Sequence, residues 1–388
     1  MNNGVPFDIN AKNIKKFKQV DPFNTENEIE GYLSRLADER YGMLYIHKIN
    51  DVIEPQVIWS IPKMGYPYQR EKLTGERIGW SFPESYRIEA FEKLDGTGIL
   101  LFTYSHDGKT YTSYKTRLSS FLHKSRFGDF FSLWSEMLQK YPKISELPAK
   151  NPGFNIAFEL YGTRNKILVE YDTLLDCAVL FGVSNKGVIV TPDTLDLRDI
   201  PIVKKLTSIT TNNNLQKEYE KLEHWLDNHI RVDTQLIKEK EKKIIKGIEG
   251  SVWYLVGRTG TIQKKVKPKV IRDLHYAASA GIPLHSIYTT IINAYEETDN
   301  VTFEQVKEML LEEFLESEIY KKENSIRKMM DNIKLEKVLK AQILEDYQKL
   351  KMDINVNKGA VMRWFAQKYN KTKCGKIFKI LWDNYGLK

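Results

Sequence analysis

Two strand-forming segments flank the tetrapeptide Lys93-Leu94-Asp95-Gly96, and this arrangement constrains the fold more than any other feature of the sequence. Residues 86–91 come before the tetrapeptide, and residues 99–104 follow directly after a second glycine, Gly98. Both segments are rich in β-branched and aromatic residues, which is typical of strands. Glycines let a backbone approach a ligand closely because they lack a Cβ. The sequence therefore predicts that Lys93 lies at a strand end, beside a glycine-rich turn.

A lysine in this position is suited to nucleophilic catalysis. Its amine must first lose a proton, and neighbouring cations or burial favour the neutral form. The alternative is an ordinary hairpin turn, because Asp-Gly is a common turn pair. The choice between a nucleophilic lysine and an ordinary turn depends on the other motifs in the sequence.

Composition limits the class of protein and its partners. A chain of 388 residues is long enough for two or three domains and a large core. Its net charge of +8 suits a polyanionic partner, although the excess lysine is also compatible with a solvated surface. Cys177 and Cys374 match neither a metal-ligand spacing nor a disulfide framework. Neither an apolar leader nor a membrane-length apolar run is visible, so we expect a cytoplasmic protein without membrane contact.

The pattern of apolar residues predicts an α+β fold. Strands are predicted at residues 43–47, 56–61, 86–91, 99–104, 109–117, 155–161, 174–183, 248–256 and 261–267. Helices are predicted at 25–36, capped by Thr25 with Glu28 three residues on, at 126–140 and over 213–246, where the run 238–243 would form a solvated helix face. We expect a domain of antiparallel sheets with flanking helices over residues 1–270, which includes an N-terminal extension of about 85 residues. An all-helical domain is expected over residues 271–388.

Three more sites in the sequence carry carboxylate or amine side chains, as the Lys93 segment does. Glu159 ends a predicted strand before Gly162, and Glu249 opens another. Lys265 and Lys267 are two residues apart in a strand, so their side chains should share one face. Two cations near a carboxylate across a hairpin suit a phosphate group accompanied by a metal ion.

The four motifs together resemble the covalent nucleotidyltransferase superfamily, which includes polynucleotide ligases and mRNA capping enzymes. Their order is Lys-x-Asp-Gly, Phe-Glu-Leu-Tyr-Gly, Glu-Gly-x-Val-Trp and Lys-x-Lys, over roughly residues 85–270. This resemblance implies that Lys93 attacks the α-phosphorus of ATP and holds AMP through a phosphoramide bond.

The resemblance also implies roles for the other motif residues. Glu92 would contact the adenosine, Asp95 and Gly96 would complete the nucleotide-binding motif, Glu159 would lie near the ribose hydroxyls, and Phe181 would stack on the base. Glu249 would be tied to the catalytic metal, Mg²⁺ with Mn²⁺ as the alternative, and Lys265 and Lys267 would contact the α-phosphate. Arg117 is a further candidate for the ribose or for nucleic-acid phosphates. The structural alternatives are a core role for Phe181 and a surface role for Arg117, while Lys264 is expected to face solvent.

Two departures separate the branches of this superfamily. DNA ligases and capping enzymes usually carry an arginine where this chain has Gly98, and they continue into a β-barrel where this chain is predicted to be helical. RNA ligases are more similar, above all the bacteriophage type that reseals cut tRNA, which also carries a Leu-His pair after the motif lysines. The segment Asn165-Lys166-Ile167 departs from the Asn-Arg-Ile of that type, so an archaeal homodimeric RNA ligase stays open.

The expected function is therefore that of an ATP-dependent RNA ligase. Its substrates would be RNA with 5′-phosphate and 3′-hydroxyl ends, or single-stranded DNA as the alternative, and the oligomeric state is left open. The helical domain would bind RNA through cations and a stacking ring, or else pack that ring in its core; the residues are Lys358, Arg363, Trp364, Lys368, Lys371 and Lys373. A DNA ligase, a capping-type nucleotidyltransferase and an RNA-binding protein on an inactive ligase scaffold are the competing hypotheses.

Overall fold

The structure is a computed structural model of the 388-residue chain. It describes residues 5–386 with internal gaps, which fall at 12, 37, 72–75, 126–127, 238–239, 269–270, 272–281, 283, 312–313, 315 and 370–372.

A four-stranded antiparallel meander forms the N-terminal part of the chain. Its strands, in the order of the sheet, are β1 (Ile14–Asp21), β2 (Asn24–Ser34), β3 (Leu44–Ile49) and β4 (Val52–Ile58). The predicted strands at 43–47 and 56–61 correspond to β3 and β4. A short hairpin of β5 (Gln69–Arg70) and β6 (Arg77–Ile78) follows.

The helix predicted over residues 25–36 is wrong, because this segment is strand β2. Ile29 and Leu33 are buried, and they are four residues apart, a spacing that fits a helical face and a strand face equally well. Strand β2 pairs with β1 on one side and with β3 on the other. These two ladders satisfy its backbone groups, so the tertiary pairing outweighs the local resemblance of Thr25 and Glu28 to a helix cap.

Two further antiparallel sheets form the centre of the molecule. The first has the order β14-β13-β12-β8-β9, with β8 (Gly96–His106), β9 (Lys109–Thr116), β12 (Phe154–Tyr161), β13 (Asp176–Ser184) and β14 (Ile189–Val190). The second has the order β15-β7-β18-β19, with β7 (Arg87–Lys93), β15 (Lys205–Ile209), β18 (Gly250–Gly257) and β19 (Gly260–Val266). The small pairs β10 (Lys124–Ser125) with β11 (Gly128–Asp129) and β16 (Ile230–Ile237) with β17 (Lys240–Gly247) complete the strands.

The inner faces of the two central sheets pack against each other. Leu100, Ala157 and Phe181 of the first sheet share one apolar cluster with Phe91 and Val252 of the second. Helix α1 (Phe130–Lys140) covers the outer face of the first sheet, and a short helix α2 (Leu147–Lys150) follows it. Helix α3 (Leu215–Asp227) covers the outer face of the second sheet. The helix predicted at 126–140 is thus present from Phe130, with the side chain of Asp129 as its cap.

The prediction of helices throughout 213–246 is half wrong. Residues 215–227 form α3, but residues 230–237 and 240–247 form the hairpin β16–β17. The lysine and glutamate run is therefore in a strand where it is described, at 240–243, and its first two residues lie outside the described part. A run of charges without apolar positions carries no periodicity, so the sequence cannot distinguish a helix from an exposed hairpin there.

Helices alone are described beyond residue 283. They are α4 (Leu284–Glu297), α5 (Phe303–Leu310), α6 (Glu316–Lys321), α7 (Glu323–Leu350), α8 (Ile354–Tyr369) and α9 (Cys374–Tyr385). The predicted fold class, α+β with antiparallel sheets, flanking helices and a helical C-terminal region, is confirmed. The domain boundary at residue 270 stays a prediction. None of the described helices has the length and apolar character that crossing a bilayer requires.

A buried polar network joins the N-terminal meander to the β8–β9 hairpin. Asp21 is completely buried, and its carboxylate accepts hydrogen bonds from Tyr104 Oη and Ser113 Oγ, both at 2.8 Å. The Phe23 amide, at 2.9 Å, and Asn24 Nδ2, at 2.8 Å, donate to the same carboxylate. Burial and the neighbouring Asp21 raise the pKa of Tyr104, so its hydroxyl stays a donor. The network therefore fixes the position of the hairpin that leads to Arg117.

Replacing Asp21 by alanine should lower the free energy of unfolding by about 2–4 kcal/mol, because several buried donors would lose their acceptor. Urea unfolding measures this change. Asp299→Ala is the matched control, since the Asp299 side chain is 89% exposed, and it should change stability by less than about 0.5 kcal/mol. Equal effects of the two substitutions would contradict a structural role for the network.

Candidate active site

The candidate site lies at one end of the interface between the two central sheets. Lys93 is the last residue of β7 and pairs with Gly250, the first residue of β18. Ser251 pairs with Val266, the last residue of β19, so Lys267 follows at the same end of the sheet. The register thus brings together residues that are more than 150 positions apart in the sequence.

A single buried carboxylate lies between two of the predicted cations. Lys93 Nζ is in direct ion-pair contact with Glu249 Oε2, and Lys267 Nζ lies 3.6 Å from Glu249 Oε1. Glu249 is only 4% exposed, whereas the Lys93 side chain is 24% exposed. Because a buried charge is costly unless it is paired, the two ammonium groups explain how this carboxylate is tolerated. The amine of Lys93 remains accessible from the interface between the sheets.

Glu159 approaches the cluster from the opposite sheet. It pairs with Gly98 of β8, and its neighbours two residues along, Ala157 and Leu100, lie in the core between the sheets. Burial raises the pKa of Glu159 to about 7, while the charges of Lys93 and Arg117 act in the opposite direction. A Cβ at Gly98 would stand 3.9 Å from Glu159 Oε2 and 3.1 Å from Ile61 Cδ1, so the missing side chain lets both groups pack close to β8.

Arg117 lies on the other side of Gly98. It follows the end of β9, where Thr116 pairs with Ile99 of β8. Burial lowers the pKa of its guanidinium, and the charges of Tyr41 and Glu159 partly offset this effect. The guanidinium lies 5.7 Å from the centre of the Tyr41 ring, and its Nε has no hydrogen-bond partner among the described residues. Arg117 is therefore a partly buried group directed towards the site, and the surface alternative does not fit.

A fully buried lysine fixes the backbone around Arg117. Lys115 Nζ donates to the carbonyl oxygens of Gly42 at 3.0 Å and of Thr116 and Arg117 at 2.9 Å each. It also lies 3.3 Å from Ser60 Oγ. Burial lowers the pKa of Lys115 well below its usual range. This side chain joins the end of β9 to the N-terminal meander and to the segment that follows it.

That segment, residues 59–68, crosses from the first central sheet to the second, and we call it the strap. At its start, Asn155 Nδ2 donates to the carbonyl of Trp59 at 2.8 Å. At its far end, the Lys265 amide donates to the carbonyl of Gly65 at 3.1 Å. Between these anchors, the side chain of Ile61 packs against Gly98, where a Cβ would meet Ile61 Cδ1 at 3.1 Å. The strap therefore spans the interface between the sheets.

Asp95 and Gly96 shape the turn after Lys93. The Asp95 carboxylate accepts the amides of Leu168 at 2.5 Å and Val169 at 2.7 Å, and the Asp95 amide donates to Tyr171 Oη at 2.7 Å. A Cβ at Gly96 would stand 2.1 Å from the Leu160 carbonyl oxygen, so only glycine fits there. Both residues hold the turn in place, and a direct contact with nucleotide stays a prediction for them.

Glu92 and Phe181 lie apart from the ion-pair cluster, and their contacts with adenosine and base stay predictions. Side chains alternate along β7, which places Glu92 on the face opposite to Lys93, the face that packs on α3. Burial raises the pKa of Glu92, and Lys204 lowers it. Phe181 is 1% exposed and belongs to the core between the sheets, next to Tyr254. The described Phe181 ring thus has no free face for a base, which agrees with the structural alternative.

In β19, the strand that carries the motif lysines, the burial of one side chain differs from the prediction. Lys264 was expected to face solvent, but it is partly buried, its Nζ lies 3.4 Å from the Tyr66 carbonyl, and burial lowers its pKa. The edge strand β19 is covered by the strap at this point, which explains the difference. Lys265 Nζ lies over the ring of Tyr66, 4.4 Å from its centre. Lys265 is thus held near the site by a cation–π contact.

The carboxylates near Lys93 are the available donors for a divalent metal. No group of three or more His, Cys, Asp or Glu side chains is arranged as a metal site in the described part of the chain. Mg²⁺, however, keeps several waters and often binds through one or two carboxylates together with substrate phosphates. Glu249 fits this second mode. Burial raises the pKa of both Asp95 and Glu159, and the nearby charge of Glu249 adds to this effect, so three carboxylates lie near one another here.

The residues expected to bind RNA differ in their exposure and in their contacts. Lys358, Arg363 and Lys373 are exposed, and Lys371 lies outside the described residues. Lys368 Nζ pairs with Asp346 Oδ1 at 2.7 Å, so this cation is partly neutralised. Trp364 is partly buried against the C-terminal helical core, 5.0 Å from Phe365 between ring centres.

The comparisons with known proteins give structural neighbours only. No protein-family model and no curated protein matches the chain. The solved structures include Naegleria gruberi RNA ligase with pyrophosphate, at 12% identity and a TM-score of 0.36, covering 69% of this chain and 99% of that one. A mutant of that ligase with ATP and Mn matches at 11% identity and a TM-score of 0.34, covering 67% and 98% of the two chains. Likeness at this level carries no inference about activity.

Sequence reasoning missed the groups that hold the site together. Lys115, Tyr66 and Tyr171 contact Arg117, Lys265 and Asp95 respectively, and none of the three lies in a motif. The sequence carries no signal for Lys115, because the other residues on its strand face, Lys109, Tyr111 and Ser113, are mostly polar as well. Tyr66 and Tyr171 lie in irregular segments, where spacing predicts no contact.

The stability of the protein should depend on pH through Glu159. Its pKa is 4.5 when unperturbed and about 7 in the folded state, so the folded protein retains a proton that the unfolded chain has lost. The free energy of unfolding should therefore fall by up to about 3 kcal/mol as the pH rises through this range. Glu159→Gln removes the titrating group and should reduce this decline.

Urea unfolding of both proteins at pH 5 and pH 8 measures the difference. Glu136→Gln is a control, because Glu136 is a surface carboxylate paired with Arg164. Identical pH dependence of the wild type and Glu159→Gln would show that Glu159 is ionised throughout.

Proposed function

We propose that this protein is an ATP-dependent RNA ligase that works through a lysyl-AMP intermediate. The observation that carries the proposal is the ion-pair cluster of Lys93, Glu249 and Lys267, with Glu159 and Arg117 facing it from the other sheet. A purely structural ion-pair network would not require a second carboxylate and a guanidinium facing a lysine that is 24% exposed.

The first step transfers AMP to the protein. The lone pair of Lys93 Nζ attacks the α-phosphorus of ATP, a nitrogen–phosphorus bond forms, and the bond to pyrophosphate breaks. Glu249 Oε2, which contacts this amine, is positioned to take the proton that Lys93 must lose. Lys267 and Lys265 stabilise the charge that builds on the α-phosphate oxygens.

Glu159 and Arg117 have complementary roles in orienting the nucleoside. A partly buried carboxylate accepts hydrogen bonds from ribose hydroxyls, and the unpartnered Nε of Arg117 is a donor for a ribose or phosphate oxygen. Both groups flank Gly98, so they would contact the sugar from two sides.

Glu249 would hold the divalent metal, Mg²⁺ or Mn²⁺, in the mode that its surroundings fit. The ion supplies charge neutralisation to the phosphates when it is bound. Lys93 and Lys267 occupy both oxygens of Glu249 in this structure, so these contacts must loosen for nucleotide and metal to enter.

The later steps transfer AMP to RNA and close the strand. A phosphate oxygen of the 5′-phosphorylated RNA end attacks the phosphorus of lysyl-AMP, which releases the Lys93 amine and forms an adenylylated end. A 3′-hydroxyl then attacks the 5′-phosphate, the new phosphodiester forms, and AMP leaves. The exposed cations of the helical region, among them Lys358, Arg363 and Lys373, are suited to the RNA backbone.

Wild-type protein with ATP and magnesium should seal 5′-phosphorylated RNA. Lys93→Arg should lose at least about a thousandfold in rate, because arginine keeps the cation beside Glu249 but its guanidinium stays protonated. The same variant should retain sealing of RNA that already carries a 5′-adenylyl group, since that step does not use lysyl-AMP. Gel analysis of labelled RNA measures both reactions.

Other outcomes would overturn the proposal in distinct ways. Joining of nicked duplex DNA alone would make the protein a DNA ligase, and a covalent guanylate would make it a capping-type enzyme. RNA binding without any nucleotide transfer would identify an inactive scaffold.

A further inference from the structure

A buried lysine that the proposed reaction does not use lies beside the candidate site. Lys115 is completely buried, on the same face of β9 as Ser113, which donates to Asp21 of the meander. Lysines are almost never fully buried unless they are paired, and a carboxylate is the usual partner. In the described part of the chain, the partners of Lys115 are instead three carbonyl oxygens and one hydroxyl. These contacts indicate that the amine organises the backbone around it.

The contacts of Lys115 join three segments that are distant in the sequence. Its Nζ reaches the Gly42 carbonyl in the turn before β3 and the Ser60 hydroxyl in the strap. It also reaches the carbonyls of Thr116 and Arg117 at the end of β9. Carbonyl oxygens only accept hydrogen bonds, so each of them gains a donor from the lysine amine. Removal of the amine would leave the three segments without their shared donor.

The turn of the meander before β3 touches Arg117 at two points. Gly42 has a φ of +80°, and a Cβ there would clash with the Arg117 carbonyl oxygen, so only glycine fits. The preceding residue, Tyr41, is buried, and its ring centre lies 5.7 Å from the guanidinium carbon of Arg117. A cation within about 6 Å of an aromatic ring centre is attracted to the ring. The turn therefore contacts both the backbone and the charged end of Arg117.

Backbone hydrogen bonds hold this turn within the meander. The Gly42 amide donates to the Ser34 carbonyl at 2.9 Å, and the Tyr41 amide donates to the Asp38 carbonyl at 3.1 Å. Ser34 is the last residue of β2, so the position of the turn follows from the position of the sheet. The N-terminal meander thus reaches the candidate site through this turn and through Lys115.

The orientation of Arg117 matters because of what surrounds its guanidinium. Arg117 is partly buried, its charge acts on Glu159, and its Nε has no hydrogen-bond partner among the described residues. A donor that is already fixed in the free protein binds a ligand with less loss of conformational entropy than a mobile one. The contacts from Lys115 and from the turn are of the kind that fixes such a donor.

We propose that Lys115 is a positioning residue of the ligase, which together with the turn at Tyr41 and Gly42 holds Arg117 in the orientation that binds the nucleotide. The meander is then a part of the ligase site and sets its affinity for ATP, although none of its residues touches the reacting atoms. The inference rests on the proposed function, because Arg117 has a nucleotide to bind only if ATP binds at the Lys93 cluster.

The test is a double-mutant cycle on the full chain that measures nucleotide binding by titration calorimetry. The probe is an ATP analogue with a methylene bridge between the α- and β-phosphorus, which blocks AMP transfer, in the presence of magnesium. Lys115→Met keeps the length of the side chain but removes its donors, and it should raise the Kd at least about tenfold, as should Arg117→Ala. In the Arg117→Ala protein, Lys115→Met should raise the Kd by less than about twofold more, whereas an independent structural effect would add in full.

A milder variant and a matched control complete the cycle. Tyr41→Leu removes the ring beside the guanidinium, and it should raise the Kd at least about threefold in wild type and not in Arg117→Ala. Lys109→Met makes the same chemical change as Lys115→Met at the exposed end of the same strand face, and it should leave the Kd unchanged.

The possible failures are distinguishable. If wild-type protein forms no labelled protein–AMP from ATP, the proposed function is wrong, whatever the analogue shows. If protein–AMP forms but Arg117→Ala keeps the wild-type Kd, or the effects of the Lys115 and Arg117 substitutions add in full, the inference is overturned. If Lys115→Met does not fold, as circular dichroism would show, the cycle of Tyr41→Leu with Arg117→Ala decides by the same criterion.

Discussion

The placement of one buried carboxylate between two ammonium groups is the interaction on which the rest of this structure depends. Glu249 precedes β18, the central strand of the three that meet here, and its oxygens face Lys93 at the end of β7 and Lys267 after the end of β19. The carboxylate would not be stable in this place alone, because an unpaired buried charge is costly. The strand register places all three groups in contact, and the same contact leaves an amine at the edge of an open interface.

The first central sheet and the strap add the groups that make this ion-pair cluster a candidate site. Glu159 and Arg117 face the cluster from either side of Gly98, and Lys115 fixes the backbone next to Arg117 from a fully buried position. The strap links both sheets through Trp59 and Gly65. Most of these links are hydrogen bonds to backbone groups, so the geometry depends on the course of the chain more than on the identity of single surface residues.

Much of this arrangement could be predicted from the sequence, for a physical reason. The segments around Lys93, Glu159 and Glu249 are strands with a clear period of two, and turn glycines mark their ends, so local chemistry and tertiary structure agree. The segment that begins at Thr25 was mispredicted because Ile29 and Leu33 satisfy both periods, and only pairing with β1 and β3 decides. Phe181 shows the other limit: alternation predicts that its side chain points inward, but not whether neighbouring groups seal it there.

The central claim is that Lys93 forms a bond to AMP, and mapping the attached nucleotide tests it most directly. Protein incubated with ATP and magnesium would be digested under conditions that preserve a phosphoramide bond, and its peptides analysed by mass spectrometry. The account predicts one AMP group on the peptide that contains Lys93, absent from Lys93→Arg. An AMP group on another residue, or a wild-type protein that stays unmodified while it seals RNA, would contradict it.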